Sequence, residues 1–316
     1  MVENGYKVSV VIAVKNDARR LQVLLSSLAK LPEHPQIIVV DNGSTDDSVS
    51  VAESAGVDVY CYPNLRVGAL RNRGVTHSNG DVLAFADSDH EVPEDWLRIG
   101  CDILTRSEEI VAVGSHYLPP SDGTWVQRVW GVHRLRGETP RDVDWLGAGN
   151  LFVRRVDFAR VGGFREDLVA AEDVDLCFRL KQQGKRIVCD HSIRSVHHGE
   201  PKTIRQFLRK EYWRGSSGIR AWVSQGFPLR DLPSLVWPAW HLLLGIAFLS
   251  SLLLLLIHPG HFRFYASLVT GFLWLAPSGL LAARTSSRTG RWGSVVSLWS
   301  LYFCYGMARA AALFKR

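Results

Sequence analysis

Across its last 85 residues, from Leu232 to Arg316, the chain has no aspartate and no glutamate. That stretch holds seven of the 37 Lys/Arg residues, so all 31 acids and the other 30 bases lie in residues 1–231. The net charge of +6 is therefore −1 in front and +7 in the tail. A binder of phosphate backbones would concentrate its bases on the folded front part, so this balance excludes nucleic acid as a partner and assigns the basic excess to a membrane segment. Cysteine is scarce, five residues at 61, 101, 177, 189 and 304 with no C-x-x-C pair and no zinc-type Cys/His spacing. A disulfide framework or structural zinc is not expected. No G-x-G-x-x-G follows the first apolar run, where Lys15-Asn16-Asp17 stands instead, which removes a dinucleotide-dependent oxidoreductase. The run Val8 to Val14 is too short and too soon followed by charge for a signal peptide, so the front part is expected in the reducing cytosol.

What is present begins with short Val/Ile runs, residues 7–14 and 36–40, of the kind that form buried parallel strands. Between them Leu21, Leu24, Leu25 and Leu28 recur at i, i+3, i+4, i+7, an amphipathic helix, which completes a β-α-β unit. The alternation continues with a helix capped at Ser44-Thr45-Asp46 and running to about Ser54, a strand at 57–60, a helix at 67–78 and a buried strand at 82–86. This predicts a doubly wound α/β sheet with ligands at the carboxyl ends of its strands. Beyond residue 90 the rhythm loosens: a helix at about 93–104, strand-like pieces near 110–116, 144–153 and 192–196, and a helix at 173–183 predict a mixed sheet.

Uncharged apolar stretches at 235–257, 264–283 and 292–308 match the ~20 residues that cross a bilayer core, the last one least well. Seven Lys/Arg between Lys202 and Arg230, one in the first loop and three in the second put the front domain on the cytoplasmic side. Three spans would carry Lys315 and Arg316 outward against that rule, so the last stretch is read as a span, a re-entrant segment or an interfacial helix. Residues 203–222 interleave five bases with Ile204, Phe207, Leu208, Tyr212, Trp213 and Trp222, a pattern that suits a helix in the headgroup region or a solvated charged helix. The expected organisation is a domain at 1–200, a basic helix and linker at 201–231, and a membrane region at 232–316.

The sharpest local feature is Ala84-Phe85-Ala86-Asp87-Ser88-Asp89-His90, a buried strand ending in two carboxylates one residue apart. Such a pair can share a hard divalent cation, or simply form an Asx-turn or helix cap. Asp41 ends another strand and can accept from a base or ribose, or make the turn. Glu172-Asp173-Val174-Asp175 opens a helix, where the macrodipole favours acids; packed carboxylates also raise one another's pKa, as a general base requires. His197-His198 can bring an imidazole to a metal, or be exposed. The glycines of Trp145-Leu146-Gly147-Ala148-Gly149-Asn150 permit close approach to a sugar, or a tight turn.

In order and spacing these segments resemble the inverting family 2 glycosyltransferases with the GT-A fold, over about residues 7–200. The resemblance is carried by residues 8–16 (VSVVIAVKN), Val39-Val40-Asp41-Asn42-Gly43-Ser44-Thr45-Asp46, Gly68-Ala69-Leu70-Arg71-Asn72-Arg73-Gly74, Asp87-Ser88-Asp89, Val161-Gly162-Gly163-Phe164, and Glu172-Asp173-Val174-Asp175-Leu176 with Arg179-Leu180. It implies a GT-A catalytic domain with a Rossmann-like, mostly parallel mixed sheet, followed by C-terminal transmembrane helices. It implies further that Ala13, Lys15 and Asp41 line the nucleoside pocket, that Arg71 and Asn72 close it, and that Asp87 and Ser88 face the nucleotide sugar. Asp89 and His197, or its neighbour His198, would hold Mg²⁺ or Mn²⁺. Asp173 would be the catalytic base, with Gly149, Asn150 and Glu172 near the donor or acceptor sugar. The Gln-x-x-Arg-Trp signature of processive synthases is absent after Asp173, so transfer of one sugar to a lipid-linked acceptor is expected. Charging of a polyprenyl phosphate itself is the alternative, and a catalytically silent membrane scaffold a third reading. The expected partners are a nucleoside-diphosphate sugar, the lipid-borne acceptor and membrane lipids.

Overall fold

A computed structural model of the chain describes residues 5–134, 139–224 and 232–314. It divides into two units, residues 1–121 with 138–200 and residues 122–137 with 201–316. Of the basic helix and linker expected at 201–231, residues 225–231 lie outside the described residues, as do the terminal Lys315 and Arg316.

In chain order the elements are β1 (Val8–Val14), α1 (Ala18–Leu28), β2 (Gln36–Asp41), α2 (Ser48–Ser54), β3 (Asp58–Cys61), α3 (Val67–Thr76), β4 (Val82–Asp87), β5 (His90–Glu91), α4 (Trp96–Thr105), β6 (Ile110–Gly114) and α5 (Trp125–Arg134). They continue with β7 (Arg141–Asp142), β8 (Asn150–Arg154), α6 (Arg155–Arg160), α7 (Glu172–Lys181), β9 (Arg186–Cys189), β10 (Val196–His197), α8 (Ile204–Ser224), α9 (Leu232–Ile257), α10 (His261–Thr289) and α11 (Val295–Ala312).

The first unit is a mixed sheet in the order β3-β2-β1-β4-β8-β6-β9-β7. Strands β3, β2, β1 and β4 are parallel, whereas β8 runs antiparallel to both β4 and β6. Side chains alternate across each strand, so Val10 and Ile12 pack with α1 and Trp96 on one face while Val11 packs with Phe85, Phe158 and Phe164 on the other. Both faces are covered, which is why β4 up to Asp87 and β1 apart from Ser9 read as apolar runs. The stretch 144–153 is strand only from Asn150 onward, because the glycines before it form a loop at the sheet edge. The piece at 192–196 contributes only the two-residue β10, paired with β5 in a separate ladder.

The second unit contains α8 to α11 and, unexpectedly, α5. Val126, Val129 and Trp130 of α5 pack with Phe207 of α8, Ala282 of α10 and Leu298, Leu301 and Tyr302 of α11. Among the described residues two helices are long and apolar enough to cross a membrane, Val236–Ile257 and His261–Thr289. Their windows are only 11% and 22% buried, unlike core helices of a soluble protein, and Leu243, Leu256, Phe272 and Leu280 stand exposed. Of the two or three expected spans these are two; the 18 residues of α11 carry Arg309 and share a core with α5 and α8. Arg309 and Arg214 both pair with Glu211, which is 2% exposed, and this staples α11 to α8.

Candidate active site

The sheet register assembles the site. Ala13 lies opposite both Val40 and Asp87, and Val14 opposite Asp41, so Ala13, Asp41 and Asp87 close three adjacent parallel strands at one carboxyl edge. Asp41 is buried; its Oδ2 accepts the Gly43 and Ser44 N–H groups at 2.8 and 2.9 Å, and its Oδ1 is buried without a hydrogen-bond partner. Lys15 follows β1 and is exposed. Ser88 donates its hydroxyl to Asp17 at 2.8 Å, which holds the turn after β4.

Arg71, on α3, is buried. Its two terminal nitrogens reach Asp87 Oδ1 at 2.7 Å and Glu172 Oε1 at 2.6 Å. Burial alone would lower its pKa, but the two carboxylates outweigh it and hold the guanidinium firmly charged. The Asn72 amide donates to Phe164 O and Glu166 and accepts from Phe164 N–H. It pins the loop that leads to α7.

The β5–β10 ladder sets His197 opposite His90 and brings both to Asp89. His197 Nε2 stands 3.1 Å from Asp89 Oδ2, and His90 Nε2 4.0 Å from Asp89 Oδ1. His198 points elsewhere, to Glu91 at 2.9 Å. Asp89, His90 and His197 thus offer three ligand atoms within 4.8 Å of one another. Asp89 Oδ1 and His90 Nε2 are buried with no hydrogen-bond partner, orphans that a divalent cation would satisfy. Burial acts to raise the Asp89 carboxyl, but the hydrogen bond and charge of His197 hold it well below the ordinary range. Burial and the neighbouring His197 bring His90 down to about 4, so its imidazole is neutral and its lone pair available. For His197 burial is outweighed by Asp89 and Glu200, which raise it. His90 was missed as a site residue in the sequence, although it directly follows Asp89; its buried position depends on β10, which arrives over a hundred residues later.

The segment before β8 connects this cluster to Asp173. A Cβ on Gly149 would stand 2.5 Å from Asp87 Oδ2 and 3.0 Å from His90 Nε2, and one on Gly147 would stand 3.7 Å from Asp173 Oδ2 and strike the Tyr117 hydroxyl. Two residues span at most ~7 Å, so the two carboxylates flank one short piece of glycine backbone. Asp173 sits in the first turn of α7, its Oδ1 accepting from Val174 N–H at 2.9 Å. Burial, and then the charge of Glu172, push its pKa up to about 6. Glu172 is committed to Arg71. Asn150, expected near a sugar, is instead fully buried, accepting from Trp96 Nε1 and donating to Ile193 O at 2.8 Å each, because it begins a core strand.

A mostly parallel sheet ending in carboxylates, continued as a mixed sheet and carrying a buried Asp/His cluster at its edge, is the GT-A fold. Residues 9–158 match the family model described as Glycosyl transferase family 2, and with the glycosyltransferase relatives that follow this makes the chain a glycosyltransferase. The chain is 27% identical over 237 residues to Glycosyltransferase AglE of Haloferax volcanii, covering 71% of this chain and 76% of that one. It is 30% identical over 231 residues to the pre-mycofactocin glycosyltransferase of Mycobacterium tuberculosis, covering 66% of this chain but only 46% of that protein, about half its length. The fold matches the mannosyltransferase of Pyrobaculum calidifontis, solved in complex with GDP-Man and Mn²⁺, with a TM-score of 0.62 at 15% identity over 98% of this chain and 88% of that one.

Proposed function

We propose that this glycosyltransferase moves a single sugar from a nucleoside-diphosphate sugar to a lipid-linked acceptor at the cytoplasmic side of a membrane, inverting the anomeric centre. The observation that carries this reading is the Gly147–Gly149 segment, with the elevated carboxylate of Asp173 at one end and Asp87 and His90 at the other. A donor laid along that segment has its diphosphate toward the cluster and its anomeric carbon toward Asp173.

In this arrangement the unpartnered Oδ1 of Asp41 accepts from the base or ribose, with Ala13 forming the pocket floor and exposed Lys15 at its rim. Asp89, His90 and His197 would hold Mg²⁺ or Mn²⁺, which when bound offsets the charge that accumulates on the departing diphosphate. Asp87 is held in place by Arg71 and faces the ribose or the cation's water. Asp173, ionised above about pH 6, accepts the proton of an acceptor hydroxyl as that oxygen attacks. A single displacement from the face opposite the leaving group follows, with no covalent enzyme intermediate. The two apolar helices and the basic, aromatic start of α8 suit a membrane-borne, lipid-linked acceptor.

The test is a screen of nucleotide sugars for nucleoside-diphosphate release by detergent-purified protein, supplied in parallel with a polyprenyl phosphate and a polyprenyl-diphosphate sugar. Turnover only with the glycosylated lipid supports extension of a glycan; turnover with the bare phosphate shifts the assignment to polyprenyl-phosphate charging. Silence with every donor leaves the scaffold reading. Proton NMR of the product gives the anomeric outcome, and retention of configuration removes Asp173 from its role.

A further inference from the structure

We propose that Glu200 is a positioning residue for the cation site, acting through His197 rather than on substrate. The inference rests on the reading of Asp89, His90 and His197 as cation ligands. Glu200 is a buried acid that none of the resembling motifs contains, and its Oε1 lies 2.7 Å from His197 Nδ1. A carboxylate accepting from Nδ1–H fixes the tautomer, leaves the lone pair on Nε2 and sets the ring plane. That Nε2 is the atom 3.1 Å from Asp89.

The same device recurs on the second imidazole. His90 Nδ1 faces Ser195 Oγ at 3.2 Å, and its Nε2 is the one turned toward Asp89. Both rings therefore have Nδ1 occupied from behind and Nε2 directed to one point. The chain between His197 and Glu200 is built for this return. A Cβ on Gly199 would run into Asp89 Oδ2 and stand 3.2 Å from His197 Nε2, so only glycine lets the backbone pass the ligand atoms and deliver Glu200 behind the ring. Burying a carboxylate is costly unless it is hydrogen-bonded and its charge is compensated. One imidazole N–H with a cation held on the far side of the same ring supplies both.

The experiment is a titration of the full-length, detergent-solubilised protein with Mn²⁺, following free Mn²⁺ by electron paramagnetic resonance with no nucleotide present. Glu200→Gln keeps the shape and loses the charge; it is expected to weaken Mn²⁺ binding 10- to 100-fold. Its thermal midpoint in EDTA should stay close to wild type, and its rate at saturating Mn²⁺ should recover to within about threefold, because only ligand basicity and aim are lost. Should Glu200→Gln not fold, Glu200→Asp carries the test, since its shorter reach breaks the contact to Nδ1 and is expected to weaken binding at least threefold, by the same loss of outer-shell support. Mn²⁺ affinity at the wild-type level in either folded variant overturns the role of Glu200 while leaving the cation site standing. A thermal midpoint in EDTA that falls along with Mn²⁺ affinity also overturns it, in favour of a purely structural acid. Failure of the wild-type protein to bind Mn²⁺ at all overturns the cation site, and the role of Glu200 with it.

Discussion

Arg71 Nη1 lies 2.6 Å from Glu172 Oε1 across 101 residues of chain, inside the protein, with the Arg71 side chain 5% exposed. The same guanidinium holds Asp87, so one side chain fixes the end of β4 and the start of α7 together. Asp173 follows Glu172 directly, and its location is thereby tied to the sheet edge.

Replacing Arg71 with Met leaves two carboxylates without their shared counter-charge. Removing one partner of a buried ion pair costs about 3–5 kcal/mol. Denaturant unfolding of the detergent-solubilised protein should show a loss of that size for the first unit. Arg71→Lys, which cannot fork to both acids, should fall in between.

Asp173→Asn removes the proposed base and should lower turnover by about 10²–10⁴-fold with little change in donor or Mn²⁺ binding. In the wild type the base form is populated only above the raised pKa, so kcat should climb as pH rises through about 6 and level off beyond it. The sign for stability is the reverse. A carboxyl raised by folding contributes stability below its unfolded pKa and loses it as pH rises through about 6. At neutral pH the Asn variant should therefore be more stable than wild type, by on the order of 1–3 kcal/mol. A variant that is both inactive and less stable contradicts the assignment.

Gly149→Ala places a methyl group against Asp87 and His90. Displacement of either by an ångström is expected to cost about 10²-fold in kcat/KM. Circular dichroism should be unchanged, and a coupled assay for nucleoside-diphosphate release reads the loss.

Glu211→Gln removes the acid that gathers Arg214 and Arg309. Two partly exposed guanidiniums then lose this buried acid, and the weakened α8–α11 contact should cost about 1–3 kcal/mol. Limited proteolysis in detergent should cut near the α8 end sooner than in wild type.

The sheet was readable in the sequence because both of its faces are covered: strands buried on two sides become plain runs of Val, Ile and Ala, and Asp41 and Asp87 stand out where those runs stop. The Asp89–His197 contact was readable only as a pattern. It depends on two-residue strands too short for any periodicity, joined across 108 residues. Helix α5 was missed although Val126, Val129 and Trp130 carry its i, i+3, i+4 signal, since the groups that cover that face, Phe207, Ala282, Leu298 and Tyr302, come from helices much later in the chain. Asn150 misled for a physical reason. Glycines beside a polar residue suggest a ligand, but its amide is spent inside the core on Trp96 and Ile193. His90 was visible as a letter and invisible as a ligand, because burial decides which imidazoles are available to a cation.

The assignment of residues 122–137 to the helical unit means that the polypeptide passes between the two units three times, near 121, 137 and 200. A soluble catalytic fragment made by stopping at residue 200 would keep α5 but lose Phe207, Ala282, Leu298 and Tyr302, the groups that cover its apolar face. Such a truncation would carry a sticky helix into solution and aggregate. Excising 122–137 as well, and closing the gap with a short flexible bridge, is the cut that the chain's own layout recommends.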